Sequence, residues 1–120
     1  MATMARPKIQ VKPGGTPDET RPFAAKGHAE MHKLAQGAVM KGVFEPGRKW
    51  SEHLAPIAGT KSCQARHVAY VIAGRMKMVM DDGAEAEVGP GDFFEIEPGH
   101  DAWVVGDQPC VLVDFGGYEQ

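Results

Sequence analysis

Cysteine is scarce in this 120-residue chain, with only Cys63 and Cys110 present. Two distant thiols cannot form a disulfide framework, so the core must hold the fold. Both are read as reduced thiols of a cytoplasmic protein. Long apolar runs are missing as well. None approaches the ~20 residues that a bilayer-spanning helix needs, and the opening MATMARPKIQ has no apolar stretch of the secretory kind. A membrane is therefore not an expected partner. Positive charge is short too: 13 Lys and Arg stand against 16 Asp and Glu, a net charge of −3. No basic cluster exceeds two or three residues, which argues against a nucleic-acid footprint. Helical periodicity is the last absence, since no segment repeats its apolar residues at i, i+3 and i+4.

What remains is the composition of a folded domain, 42% hydrophobic and 24% charged. Its length fits a single domain. Fifteen glycines and nine prolines punctuate the apolar runs, as frequent turns between short strands require. Residues 1–37 read as an N-terminal arm with edge strands, including a short strand at 9–11. Residues 38–120 read as the barrel domain. Strands are expected at 38–44, 49–54, 61–73, 75–80, 84–88, 93–97, 102–105 and 110–115. Turns fall at Glu45-Pro46-Gly47, Asp81-Asp82-Gly83, Gly89-Pro90-Gly91-Asp92 and Pro98-Gly99. About nine to eleven strands at this spacing indicate an all-β sandwich or barrel. Met76, Met78 and Met80 form a stripe at strand period, suited to filling irregular core space.

In the run 61–73, period two puts Cys63, Ala65, His67, Ala69 and Val71 on one face and Val68, Tyr70 and Ile72 on the other. Both faces are apolar, so both should be covered. The barrel interior would cover one, and the N-terminal strands or a second copy of the chain would cover the other. A homodimer is the expected assembly.

The chemistry-bearing residues concentrate in two stretches. Residues 47–74 hold His53, Cys63 and His67, and residues 91–103 hold His100 beside the Pro-Gly turn. Each has an ordinary explanation: a core histidine at 67, a surface histidine at 53, a turn cap at 100 and a small apolar filler at Cys63. His28 and His32 would share a face on a helix. Between Gly27 and Gly37 they are read instead as surface histidines of a strand.

These two stretches resemble the cupin superfamily. Its first motif runs G-x5-H-x-H-x(3,4)-E-x6-G and its second G-x5-P-x-G-x2-H-x3-N. Gly47-x5-His53 matches the start of the first motif. His67-x6-Gly74 matches its end, with histidine where the family has glutamate. Gly91 and Gly99 match the glycines of the second, and YVIAG at 70–74 resembles a usual cupin strand end. The resemblance covers residues 38–116 and implies a cupin-like double-stranded β-helix, a jelly-roll barrel with a metal inside. The ligand set is degenerate. Ala55 stands at the second-histidine place counted from His53, Cys63 at that place counted back from His67, and Ala102 at the histidine place of the second motif. The resemblance implies His53 and His67 as metal ligands, with His100 and Cys63 as substitutes. A divalent transition metal, Zn, Fe or Ni, suits imidazoles joined by a thiolate. Asp101 and Glu52 are expected to orient imidazoles or act as bases. Two functions follow from the resemblance. The first is a non-catalytic module that binds a small molecule, a metal or both. The second is a metal-dependent oxygenase, isomerase or lyase acting on a small polar metabolite.

Overall fold

Within the residues that the computed structural model describes, 8–22, 26–35, 37–53, 59 and 63–115, the chain is almost wholly extended. Nine strands and one helical turn follow in order: β1 Glu19–Pro22, β2 Gly27–Leu34, β3 Gly37–Phe44, α1 Trp50–His53, β4 His67–Ala73, β5 Arg75–Met80, β6 Glu85–Val88, β7 Phe93–Ile96, β8 His100–Val105 and β9 Cys110–Asp114. They form a six-stranded sheet, β1-β2-β3-β9-β4-β7, and a three-stranded sheet, β6-β5-β8. All pairings are antiparallel. The architecture is an all-β jelly roll.

Alternation along the strands places the core between the sheets. Val71, Met76, Met78, Val88, Ile96, Val104 and Cys110 form the main apolar cluster, with Phe44, Met80, Phe94 and Ala102 packed on it. The methionine stripe thus packs as its period requires. Burying each such side chain stabilises the fold by roughly 1.5–3 kcal/mol. Ala29, Met31 and Met40 form a smaller cluster under the first strands.

Two glycines carry conformations that other residues would strain. Gly74, at φ 75°, passes the chain from β4 to β5 against the backbone of Pro109 and Cys110. Gly99, at φ 96°, turns the chain into β8. The Asp81 N–H donates to the Gly99 carbonyl, which ties this turn to the end of β5.

Four expectations need correction. Residues 9–11 form no strand; Ile9 and Val11 are exposed coil. Of the strand expected at 49–54, residue 54 lies outside the described residues, and the rest is the helical turn α1, preceded by one bridge between Lys49 and Trp103. The backbone N–H of Ser51 donates to Asp101 Oδ1, 3.0 Å away, so a carboxylate 50 residues distant caps this turn. Of the long strand expected at 61–73, residues 61–62 lie outside the described residues, and among the rest the ladder begins at His67. Its partners end there: Ile96 closes β7 opposite His67, and β9 stops at Asp114 opposite Ala69. Finally, the described N-terminal strands do not cover the second face of β4, which leaves a second copy as the expected cover. Ala69 and Val71 are buried, whereas Val68 and Ile72 are 41% and 48% exposed. No helix among the described residues is long and apolar enough to cross a membrane.

Candidate metal centre

The free edge of β8 organises the site. At one end of that edge Cys63 forms an isolated bridge to His100. The Cys63 N–H donates to the His100 carbonyl at 2.7 Å, and the Gly99 N–H donates to the Cys63 carbonyl at 2.7 Å. His67, the first residue of β4, faces the same point from the opposite sheet. One donor atom from each of Cys63, His67 and His100 lies within 4.8 Å of the other two. The two imidazoles meet edge to face, with centroids 5.4 Å apart.

Each ring is held through its Nδ1. His67 Nδ1 donates to Asp114 Oδ2 at 2.6 Å, and Asp114 is 2% exposed at the end of β9. His100 Nδ1 donates to the Glu97 carbonyl at 2.8 Å, and the residue is 4% exposed. These bonds leave Nε2 of both rings for the centre of the site, and His67 Nε2 lies 3.7 Å from Cys63 Sγ. Metal-bound histidines characteristically have the second nitrogen fixed in this way, by a carboxylate or a backbone carbonyl. The donor set therefore fits a soft or borderline divalent ion with imidazole and thiolate ligands.

The electrostatics agree. Burial disfavours the Cys63 thiolate, but hydrogen bonds from His100 and then His67 outweigh it and bring the thiol down to about 6. Burial likewise disfavours a charged His67, but its bonds to Asp114 and then Cys63 raise it to about 9. Without a metal, these shifts favour a thiolate facing an imidazolium near neutral pH. Cys110 shows the opposite case. Burial alone pushes its thiol up to about 11, and it behaves as core.

The cluster opens into a cavity of about 180 Å³, walled by Met40, Phe44, Met76, Met78, Leu112 and Trp103. The structure thus brings Cys63, His67 and His100 together. His53 lies on α1, and its side chain is outside the described residues, as is that of Glu52. Asp101 does not orient His100; its Oδ1 accepts from the N–H groups of Ser51 and Ala102. Asp114 is the residue at this site that sequence reasoning missed. Its signal was a single charge at the end of the apolar run CVLVD. His28 and His32 lie on β2 as a strand reading requires. They sit on either side of Glu30, with His28 Nε2 bonded to it at 2.9 Å and His32 half-buried.

Residues 58–116 match the family model described as the cupin domain. No curated protein is similar enough in sequence to match. Among solved structures, a protein of unknown function from Acidithiobacillus ferrooxidans is similar, with 13% identity over 83% of this chain and 88% of that one, at a TM-score of 0.62. An RmlC-like cupin from Shewanella frigidimarina has 18% identity over 89% of this chain and 88% of its own, at 0.60. The Bacillus subtilis oxalate decarboxylase, a protein with Mn(II) centres, has 17% identity over 83% of this chain and 28% of its own, at 0.55.

Proposed function

We propose, from the premise that this chain belongs to the cupin superfamily, that its barrel pocket binds a small organic molecule beside a divalent transition metal held by Cys63, His67 and His100. One observation carries the reading. Both imidazoles have Nδ1 engaged, by Asp114 and by the Glu97 carbonyl, and so offer Nε2 beside a thiol that ionises readily. The ion would supply Lewis acidity and an anchor for a ligand heteroatom. A thiolate in the set favours Zn or Fe over Mn. His53 is proposed as a further ligand, because α1 packs against β8 and its Trp50 lines the cavity.

The role we infer is that of a binding or sensing module. With a metal on both Nε2 atoms, and Asp114 and the Glu97 carbonyl on both Nδ1 atoms, neither imidazole would keep a nitrogen to act as a general base. A metal-dependent enzyme is the second reading. It is favoured by the three-ligand set, which resembles open catalytic sites with a place left for water or substrate. The free thiols fit a reducing compartment such as the cytoplasm. The exposed apolar face of β4 and β7 fits a homodimer.

Elemental analysis of the purified protein, followed by zinc titration, tests the reading. We expect one ion per chain in the wild type and none in His67→Ala. Retention of a full equivalent by His67→Ala would end it.

A further inference from the structure

Resting on the reading of the barrel as a metal and small-molecule pocket, we propose that the pocket has a second pole at Arg48. Its ligand is then an organic monocarboxylate with an apolar body, the carboxylate held at Arg48 and the body directed toward the Cys63–His67–His100 cluster.

Arg48 is 4% exposed and lines the cavity. A guanidinium is costly to bury, and placing one in an apolar wall calls for an anion or a full set of hydrogen bonds. Its Cζ lies 5.2 Å from the centre of the Phe44 ring, so the fork is stacked and oriented rather than loose. Phe44 in turn fits over Gly42, where any Cβ would meet the ring. The fork carries five N–H donors, enough for partners within the protein and a bidentate carboxylate together. One guanidinium would leave a phosphate dianion with an uncompensated negative charge in an apolar wall.

Two strands measure the distance between the poles. Along β8, Val104 N–H donates to the Arg48 carbonyl, while Cys63 bridges His100. These anchor points are four residues apart, about 13 Å at ~3.3 Å per residue. Along β9, Gly42 and Phe44 face Leu112 and Cys110, two and four residues from Asp114. These are backbone separations of about 7 and 13 Å along β9, between the strand positions beneath the guanidinium's stacking partner and the residue that holds His67. Met40, Met76 and Met78 wall the same cavity. A cavity whose apolar wall carries both a buried guanidinium and the Cys63–His67–His100 cluster fits an amphiphile of one negative charge.

Hexanoate and 1-hexanol are suitable probes, titrated calorimetrically into the full chain with and without zinc. In the wild type, hexanoate should bind about ten- to a hundredfold more tightly than hexanol, as a charge-assisted carboxylate contact predicts. Arg48→Met should lose that preference while keeping hexanol and zinc binding. Arg48→Lys should keep part of it. Circular dichroism checks that the methionine variant folds. If it does not, the wild-type comparison and the lysine variant decide. Equal binding of the two probes, no binding of either, or a preference that survives in Arg48→Met overturns the proposal. So does hexanoate binding that vanishes with zinc but ignores Arg48, because the carboxylate would then sit on the metal. A preference that depends on Arg48 in protein unable to bind zinc leaves the anion pole standing and removes the metal reading.

Discussion

Asp114 is buried, charged and bonded to His67, so its replacement is informative. Asp114→Asn keeps the shape but weakens the acceptor that fixes the ring and raises its basicity. Zinc affinity should fall about ten- to a hundredfold, the usual effect of losing such a partner. Competition titration against a chromophoric chelator measures it, and unchanged affinity would separate Asp114 from the centre. The acid–base pair also gives the metal-free protein a pH signature. The Cys63 thiol is brought from 9.0 down to about 6. Its contribution is complete above its unfolded value and is lost as pH falls through about 6. His67 is raised from 6.5 to about 9. Its contribution is complete below 6.5 and is lost as pH rises through about 9. Between about 6.5 and 9 the folded and unfolded chains hold the same one proton on this pair, so the two contributions trade off and stability of the metal-free protein should be nearly flat there, whereas Cys63→Ser, left with His67 alone, should lose stability as pH rises above 6.5. Denaturant midpoints across pH check this. In the same window zinc must displace the His67 proton, so calorimetry in buffers of different ionisation enthalpy should read about one proton released per ion. Period two and the Pro-Gly turn made Cys63, His67 and His100 visible in the sequence as candidates. Asp114 was not visible, because its partner lies 47 residues away on a strand whose neighbour only the fold reveals.

At the scale of elements, the turns were legible and the ends of pairing were not. Pro-Gly and Asp-Gly signals marked most strand boundaries, since their residues dictate local backbone geometry. The helical turn α1 depends on a cap from Asp101 in β8, and the start of β4 depends on where β7 and β9 run out. No local pattern encodes either. The β4–β5 corner offers a test of how far geometry alone sets stability. A Cβ on Gly74 would meet the Pro109 carbonyl oxygen and Cys110 Cα, and its φ is positive. Gly83 has positive φ too, but open space around it. Gly83→Ala should cost only backbone strain, about 1 kcal/mol, whereas Gly74→Ala should cost more than twice that. Thermal melts compare the two, and equal losses would show that the backbone contact at 74 relaxes freely.

At the scale of the whole molecule, the outer face of β4 and β7 is open and largely apolar, with exposed Glu95 opposite Val68. Phe93 is 76% exposed and stacks on Tyr70 at 4.5 Å, in line with Val68 and Ile72. We expect light scattering to give twice the 12.9 kDa chain mass, and Ile72→Glu to give a monomer, because a buried charge opposes association. A wild-type mass of one chain at working concentration would count against the dimer. The centre itself joins the two sheets. His67 belongs to the six-stranded sheet and His100 to the three-stranded one, with Cys63 tied to the latter. An ion held by all three would act as a rivet between layers that otherwise meet through apolar side chains. Its loss should then show first as breathing. Amides of β5 and β8 would exchange faster than those of β3 and β9, and the sheets would begin to part before either melts. The ion would thus govern how long the barrel stays shut, and with it how long a guest remains inside.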